Sequence, residues 1–518
     1  MAQELVAIPT TQASAEVIEG SQGIGDIREV QPISVGKDDP GNPYNWSQLR
    51  KVVIVLTGIL TVINSTLGSA LPSNAIAFMA PDFGISTTGG NPQLVIPIFI
   101  YLVGYVLGPL LFGPLSEVYG RRLPILLTFA GYTAFTLGTA LAPNWASLVI
   151  FRLLAGVCAS APLTIVGGMF ADIYDNPITR GRAIALFMGA ITTAPCVAPA
   201  ISGSLSEFAS WRWTFWCALI VAGTTWIPLA FLPETYGPVI LKFRVREIRK
   251  HKSNTNISHH HIYAPMELEA KGWQHMVRVV LARPLRMVVT ELIVVAVCLY
   301  LAIAYAIFYM FFQAYPIVFK GIYGMSASTS GLMFLPIGAG TFIALAMFFL
   351  YDGFLERSRN VGKAWTRREE SRRLPLACVG GPLFVISLLW MGWTAREDTH
   401  WIVPCLAGVP FGVGNLLIFM ALLNYLADAY GGLFAASAMA ASSCTRSIFG
   451  AVLPLATTSM YDTLGVGWAS TLLAFVSLAM SAIPFIFIYY GDDIRSRSAF
   501  CQMLKDKEVS DQEMSEGA

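Results

Sequence analysis

The chain has 518 residues, of which 55% are hydrophobic and 13% are charged. Soluble domains average about 25% charged residues, so this composition excludes an ordinary soluble enzyme and is typical of an integral membrane protein. The net charge of +2 gives no reason to expect a nucleic-acid partner.

The chain begins with a polar segment, residues 1–51. This segment lacks the apolar region of a signal peptide, so we expect a disordered cytoplasmic tail, with the first apolar stretch acting as the targeting signal. Residues 491–518 are expected to form a second cytoplasmic tail.

Long stretches without Lys, Arg, Asp or Glu follow the first tail. Each has about the 20 apolar residues that cross a bilayer, so each predicts a transmembrane helix. A polar linker, residues 233–286, divides them into a first bundle of six at 52–232 and a second at 287–490. The stretches are Val52–Pro81, Phe83–Ser116, Leu123–Phe151, Leu153–Ala171, Ala183–Ser206, Trp213–Pro233, Leu292–Phe319, Gly321–Tyr351, Leu374–Ala395, Thr399–Ala427, the segment from Asp428 to Asp462 interrupted by Arg446, and Thr463–Gly491.

Basic residues lie almost entirely on one side of these spans. With a cytoplasmic N-terminus, the outer loops carry only Arg212, Lys320 and Arg396 of the 34 Lys and Arg residues. The positive-inside rule therefore places both termini in the cytosol. We expect a multi-pass protein of the plasma membrane, with a vacuolar or vesicle membrane as the alternative.

A short turn between the second and third spans concentrates charge in an apolar region. Gly120 permits a tight reversal of the chain, and the adjacent arginines hold the turn in the cytosol. Asp172, at the inner end of the fourth span, is the natural ion-pair partner for one of these arginines. The turn, GPLSEVYGRR, contains Gly113, Glu117, Gly120, Arg121 and Arg122.

Several stretches together resemble the major facilitator superfamily. The turn is similar to the superfamily's loop signature, with Glu117 in place of the usual Asp and Val118 where a basic residue is common. The resemblance extends from Asp39 to Tyr490 and implies an all-α protein with twelve transmembrane helices in two six-helix bundles. The fungal drug:proton antiporter branch is indicated by the stretches DPGNPYNWSQLRK, FRLLAG, WRWTFW, PETYGPVIL and RSIFGAVLPL.

The resemblance implies a secondary active transporter that exports a small organic compound, such as a drug, toxin or secondary metabolite, by alternating access. It implies protons as the coupling ion, no other cofactor and no metal, and the expected partners of a monomer are the substrate, protons and the lipid bilayer. The alternative is a proton-coupled or facilitative uptake carrier for a nutrient or organic solute. An enzyme is not expected, because the spans contain no catalytic constellation.

The resemblance also assigns two elements of a conformational mechanism. Glu117 is expected to contact the start of the eleventh span near Gly432–Ala435, where a helix N-terminus favours an anion, and so to hold the cytosolic side closed. The antiporter signature of the fifth span is partly present in APCVAPAISG, in which Pro199 and Gly203 match. An antiporter-type helix bend and a simple contact between small residues both remain open for this stretch.

Ionisable residues inside the spans are few, and each costs at least about 2.5–3.5 kcal/mol at mid-bilayer. Arg152 either supplies a fixed charge to buried polar groups or extends to the outer headgroups. Arg446 is expected to face the region between the bundles and to pair with carbonyls or an anionic group, as a structural lock or as a substrate contact. Glu291 either accepts a proton or pairs with Arg286.

Polar and aromatic side chains recur at helical spacing on several spans. By resemblance, spans one, four, seven and ten line the substrate cavity. Rings and amides without a fixed acid suit a moderately apolar, neutral or anionic organic molecule, and ordinary helix packing is the alternative. The candidate cavity residues are Thr61, Asn64, Tyr305, Tyr309, Gln313 and Asn415.

Overall fold

The computed structural model describes residues 31–32, 39, 41–87, 91–253, 262–263, 283–498, 500 and 502–503. Eleven stretches among these residues are long and apolar enough to cross a membrane. The last has 57 residues, and one helix of that length would extend about 85 Å across a hydrocarbon core of about 30 Å. The backbone turns within it at Gly465, where φ is +73°, so this stretch makes two crossings. The expected all-α fold with twelve spans is confirmed.

The spans are numbered in chain order. Spans eleven and twelve lie on either side of Gly465, and the helix Gly431–Val452 forms most of span eleven. The first six are Gln48–Ala70, Pro92–Tyr119, Arg122–Ala140, Trp145–Ile173, Ile178–Phe208 and Trp211–Ala230, and the others are Leu292–Ile322, Ala327–Asn360, Pro375–Thr394, Ile402–Ala429 and the double stretch Ala435–Gly491. Further helices are Pro43–Asn45, Pro72–Asp82, Gly237–Ser253, Arg283–Thr290, Ala364–Arg367 and Glu369–Arg373.

Local sequence sets several helix ends. Span four begins with a capping box, in which the backbone N–H of Ser147 donates to Asn144 Oδ1 at 2.8 Å. Asn176 and Ser210 cap the next two spans with their side-chain oxygens. Span two ends at Gly120, whose φ of +88° is a conformation that residues with a Cβ rarely adopt. The short polar connections therefore determine where each apolar helix starts and stops.

Close contacts between small residues recur at matching places in the two bundles. A Cβ on Gly156 of span four would lie 2.3 Å from the Tyr101 carbonyl oxygen of span two. A Cβ on Gly412 of span ten would lie 2.0 Å from the Ile337 carbonyl oxygen of span eight. Spans eight and ten are the second and fourth spans of the second bundle, and spans two and four hold the same positions in the first. The same helix pair is thus packed on small residues twice, as expected for a repeated half.

The expectation of a disordered tail over residues 1–51 is wrong for the part that the structure describes. Gln31–Pro32 pairs in parallel with Ile262–Tyr263 of the linker. Asp39 forms an ion pair with Arg244 in the helix Gly237–Ser253, and hydrogen bonding from that guanidinium holds the pKa of Asp39 below its usual value. Residues 31–32 and 39 of the tail therefore contact the linker, and residues 1–30, 33–38 and 40 lie outside the described residues.

The bundles also contact each other near both faces of the membrane. On the outer side, the Asn74 amide donates to the Ala327 carbonyl of span eight at 3.2 Å. On the cytosolic side, Arg182 forms ion pairs with Asp352 at 3.4 Å and with Glu356 at 3.7 Å. These two sets of contacts lie above and below the polar residues described next.

Candidate functional site

Arg152 lies in the interior of the first bundle, with 3% of its surface exposed. Its guanidinium donates hydrogen bonds to the carbonyls of Pro97 at 3.0 Å, Gly68 at 2.8 Å and Ser69 at 3.3 Å. It also lies 4.3 Å from the centre of the Tyr101 ring. These contacts rule out the alternative in which Arg152 extends to the headgroups, and they support the one in which it orders buried polar groups.

Two of the carbonyls that Arg152 binds, those of Gly68 and Ser69, lie at the end of span one, and the Gly68 carbonyl is available for a local reason. Pro72 begins the next helix and has no N–H, so the Gly68 carbonyl four residues earlier loses its usual helical partner. The guanidinium of Arg152 supplies that missing donor. Its positive charge is therefore compensated by the backbone of the first bundle.

Ser69 and Tyr309 join the two bundles at the centre of the protein. Their hydroxyl oxygens lie 2.8 Å apart, and because Ser69 Oγ donates to the Thr66 carbonyl, it accepts from Tyr309. The Tyr305 hydroxyl donates in turn to Tyr309 Oη at 3.5 Å. Sequence reasoning overlooked Ser69, although it lies one helical turn after Ser65, a polar residue of the same span.

Arg446 has a different environment from Arg152. Its guanidinium carbon lies 5.4 Å from the centre of the Phe419 ring and 5.8 Å from that of Tyr305. Within the part of the chain that the structure describes, no hydrogen bond or ion pair reaches Arg446 from a carbonyl or a carboxylate. The expected carbonyl or anionic partner is therefore not found, and aromatic faces take its place.

These aromatic contacts compensate the charge of Arg446 only in part. A cation–π contact contributes from about 0.5 to about 2 kcal/mol, and its useful range ends near about 6 Å. Both contacts of Arg446 lie close to that limit, whereas an arginine at mid-bilayer costs at least about 2.5–3.5 kcal/mol. A positive charge without a bound anion is thus left at the junction of the two bundles.

Asn415 of span ten supplies an unused polar group. The side chain is 5% exposed, and its Oδ1 has no hydrogen-bond partner among the described residues. Phe419, one turn along the same helix face, lies with its ring centre 6.2 Å from that of Tyr305. A buried acceptor without a donor costs about 1–3 kcal/mol, so this position favours a ligand or water that can donate. We call Ser69, Tyr305, Tyr309, Asn415, Phe419 and Arg446 the central cluster.

Two cavity candidates of span one lie inside the first bundle. The Asn64 amide donates to Thr225 Oγ1 of span six at 2.8 Å, and its main-chain carbonyl accepts from the Tyr132 hydroxyl of span three at 2.9 Å. The hydroxyl of Thr61, which is 1% exposed, donates to the Gly58 carbonyl of its own helix at 2.7 Å. The Asn64 amide nitrogen and the Thr61 hydroxyl are therefore bonded within the first bundle, Asn64 Oδ1 is buried without a partner among the described residues, and the cavity roles of both residues stay predictions.

Gln313 of span seven is also occupied at both ends of its amide. Its Nε2 donates to the Pro454 carbonyl at 2.9 Å, and its Oε1 accepts from Thr458 at 3.2 Å. Pro454 lies in the short helix Leu453–Ala456, where the stretch that contains spans eleven and twelve changes helix type. Gln313 thus links span seven to that break, both ends of its amide are bonded in this structure, and its role as a cavity residue stays a prediction.

Pro199 and Gly203 lie where span five meets the outer end of span eight. A Cβ on Gly203 would lie 2.3 Å from the Ala327 carbonyl oxygen, and a Cβ on Gly331 would lie 2.3 Å from that of Pro199. The Asn74 amide donates to both carbonyls, at 3.2 and 3.3 Å. The geometry therefore supports a close contact that joins the outer ends of the two bundles, and the antiporter-type bend stays a prediction.

The cytosolic turn contains the expected ion pair. Arg121 Nε lies 3.0 Å from Asp172 Oδ2, and the guanidinium carbon lies 4.7 Å from the centre of the Tyr236 ring. Arg121 also donates to the hydroxyl of Ser116 at 2.7 Å. Arg121 therefore fastens the turn to the inner end of span four and to the linker.

Glu234 holds the backbone of the same turn, a role that sequence reasoning did not assign. Its carboxylate accepts the backbone N–H groups of Arg121 at 2.8 Å and Arg122 at 3.1 Å. It lies so close to Gly120 that a Cβ there would be 2.3 Å from Oε2. An acid directly after an apolar span, facing a basic turn, was the available signal in the sequence.

Glu117 is exposed and forms no hydrogen bond or ion pair with the residues that the structure describes. The side chains at 431–434, which include most of its expected contact at Gly432–Ala435, lie outside the described residues, so the latch stays a prediction. Gly113 lies beside span four, where a Cβ would be 3.6 Å from Thr164, an ordinary packing distance.

Glu291 is buried at the cytosolic start of span seven, with 2% of its surface exposed. Its carboxylate accepts hydrogen bonds from the Tyr430 hydroxyl at 3.1 Å, the Ser498 hydroxyl at 2.5 Å and the Phe500 N–H at 3.5 Å. Arg286 is exposed and forms no ion pair with it, so that pairing is wrong. The carboxylate borders a cavity of about 440 Å³, and its role as a proton acceptor stays a prediction.

Comparison with known families decides what kind of protein this is. The model of the Major Facilitator Superfamily matches residues 57–454, which include most of the twelve spans and the linker. The chain belongs to the Major Facilitator Superfamily. It is therefore a multi-pass membrane transporter and not an enzyme, as the sequence motifs predicted.

Relatives of this facilitator are found among fungal proteins. It is 38% identical to the major facilitator superfamily multidrug transporter mdrA of Aspergillus fumigatus, over 92% of this chain and 77% of that protein. It is 38% identical to the efflux pump FUBT of Fusarium oxysporum, over 92% of this chain and 79% of the relative. It is also 37% identical to the MFS transporter prlG of a fungal species, over 89% and 95% of the two chains.

Solved structures of the superfamily show the same fold. The proton:xylose symporter XylE aligns with a TM-score of 0.60 over 86% of this chain and 96% of its own, at 16% identity. A partially occluded, inward-open structure of XylE from E. coli gives a TM-score of 0.59 at the same identity. At this identity the likeness extends to the fold alone.

Proposed function

We propose that this facilitator exports a small organic compound from the cytosol by alternating access, driven by the entry of protons. Two of the relatives described above are named as an efflux pump and as a multidrug transporter, and each is 38% identical over 92% of this chain. Uptake of a nutrient has less support, because the likeness to a xylose symporter rests on 16% identity.

The observation that carries the proposal is the position of the central cluster. Its polar and aromatic groups come from both bundles, and the Ser69–Tyr309 hydrogen bond crosses the boundary between them. Separate contacts join the bundles on the outer side, through Gly203 and Asn74, and on the cytosolic side, through Arg182. Alternating access requires this arrangement, in which a central site lies between two sets of contacts that open in turn.

We further propose that the protein acts as a monomer in the plasma membrane, with a vacuolar or vesicle membrane as the alternative. The repeated bundles provide both sides of the central cluster within one chain, so a second copy is not needed to complete it. Protons are the proposed coupling ion, and Glu291 is their candidate acceptor because it is an acid buried at the start of span seven that borders a cavity.

Proteoliposomes with the purified chain test the coupling. Cytosolic-side-out vesicles are supplied with a panel of organic compounds, with and without an acidic lumen, and accumulation inside is measured. The acidic lumen stands for the cell exterior, so it should speed accumulation several-fold. Vesicles with a proton ionophore are the control. Equal accumulation with and without the gradient would remove the proton-driven mechanism.

A further inference from the structure

We infer that the exported compound is an organic anion with an aromatic ring, whose carboxylate binds Arg446 in the central cluster. This inference rests on the proposed export function and adds the chemical class of the substrate. It depends on the charges at the bundle junction, the rings beside Arg446 and the unpaired Oδ1 atom of Asn415.

The charges at the centre of the protein favour an anion. Arg152 and Arg446 are the basic residues in the middle of the spans, and the charge-free stretches around them contain no acid. Arg152 is already compensated by three backbone carbonyls, whereas Arg446 has only aromatic faces around it. In a medium of low dielectric constant, an uncompensated guanidinium attracts an anion strongly and repels a cation.

The guanidinium of Arg446 has the right chemistry for a carboxylate. Its planar N–H groups match the two oxygens of a carboxylate, which forms short, charge-assisted hydrogen bonds with arginine. None of these N–H groups is taken by another described residue. Arg446 is only partly buried, so part of the side chain is accessible to a ligand.

The side chains that flank Arg446 favour a flat ring in the substrate. Tyr305 and Phe419 lie next to each other on one side of the charge, with ring centres 6.2 Å apart, and the Tyr309 ring centre lies 4.8 Å from that of Tyr305. Aromatic rings pair best at centroid distances of about 4.5–7 Å. A substrate ring beside this group would add one more partner of the same kind.

Asn415 adds a requirement for a donor. Its buried Oδ1 has no partner among the described residues, so a hydroxyl or N–H on the substrate ring would satisfy it. A neutral substrate would leave Arg446 uncompensated, and a cationic drug would need a carboxylate that the central cluster does not contain. The combination of an anionic group, a ring and one donor is therefore the chemistry that this site matches.

The test uses three probes with the same ring and different charges. 1-Naphthoate is the anion, 1-naphthamide the neutral analogue and 1-naphthylmethylammonium the cation. Binding to the purified full-length protein is measured from the concentration dependence of Tm, because a ligand that binds the folded state raises it. We expect naphthoate to raise Tm at concentrations at least tenfold lower than either analogue. Equal binding of all three probes, or preference for the cation, would overturn the inference.

Variants then assign the anion to Arg446. R446Q should weaken naphthoate binding at least tenfold and leave naphthamide unchanged, and R446K, which keeps the charge, should retain most of the preference. R359Q, at an exposed cytosolic arginine, is the matched control and should bind as the parent does. Equal loss of naphthoate and naphthamide binding in R446Q would show a structural role and refute the assignment. If R446Q does not fold, R446K and the parent protein still decide the question through their charge preference.

Failure of this inference and failure of the proposed function give different results. If vesicles accumulate neutral or cationic compounds under the proton gradient and naphthoate does not bind, export stands and the anion is wrong. If naphthoate binds through Arg446 but a proton gradient drives no compound inward in cytosolic-side-out vesicles, the anion site stands and proton-driven export is wrong.

Discussion

Arg152 and Arg446 show how one residue type takes two roles inside the same membrane protein. Arg152 binds three carbonyls of the first bundle and has 3% of its surface exposed. Arg446 contacts two rings and no described acceptor. The first charge is therefore part of the folded framework, and the second is available to a ligand.

Replacing Arg152 with Gln should destabilise the protein. One amide cannot reach all three carbonyls, and each buried carbonyl left without a donor costs about 1–3 kcal/mol. We expect the free energy of unfolding to fall by at least about 2 kcal/mol, seen as a lower Tm and a lower surface abundance. R446Q is the comparison and should keep both near their parent values. An unchanged Tm in R152Q would contradict the structural role of Arg152.

The outer contact between spans five and eight depends on the absence of side chains. Gly203 faces the Ala327 carbonyl of span eight, and Gly331 faces the Pro199 carbonyl of span five. Without a hydrophobic effect between helices in lipid, such close backbone approach is a main source of their association. These two helices therefore meet closely only while both positions stay glycine.

The variant G203A should shift the protein toward its outward-open state. The added Cβ would lie 2.3 Å from the Ala327 oxygen, so the outer ends must separate. A cysteine placed at Ser328 should react several-fold faster with a membrane-impermeant maleimide in this variant. G181A is the control, because a Cβ at Gly181 of the same span meets no atom within 4 Å. Equal labelling in the two variants would show that the contact does not control the outer side.

The balance between the two bundles depends on contacts at opposite faces of the membrane. The outer face is joined by backbone contacts that tolerate no added atom. The described cytosolic ion pairs between the bundles come from Arg182, whose side chain is 48% exposed. Exposed ion pairs contribute from about 0 to about 1 kcal/mol, so this contact can adjust a nearly balanced equilibrium but cannot hold one state alone.

The variant R182Q should favour the inward-open state, the opposite shift to G203A. Loss of at most about 1 kcal/mol changes the ratio of the two states by up to about fivefold. Accessibility of a cysteine at Leu345, which lies opposite Gly189, should rise when measured from the cytosolic side. High salt should reduce the difference from the parent because it screens the ion pairs. R180Q is the control at a neighbouring arginine. If this accessibility rose more in R180Q than in R182Q, the ion pairs of Arg182 would not explain the shift.

The all-α fold with twelve spans could be predicted from the sequence, and the sidedness of the spans and the bounds of the two halves stay predictions from the same signals. Apolar length and the placement of Lys and Arg are properties of single segments, and they act through the membrane itself rather than through other parts of the chain. The Arg121–Asp172 pair also followed, since both residues had to lie at the cytosolic ends of neighbouring spans. Tyr305 and Tyr309 were assigned to the centre by spacing and resemblance.

The tertiary structure decided which polar groups were already in use. The amide nitrogen of Asn64 binds Thr225, which is 161 residues away, and that of Gln313 binds Pro454, which is 141 residues away, so these donors are already bonded in this structure. Ser69 belongs to the central cluster because it forms a hydrogen bond with Tyr309, which is 240 residues away in the chain. A polar residue in a span must find a partner because lipid offers none, and the sequence does not show how far along the chain that partner lies.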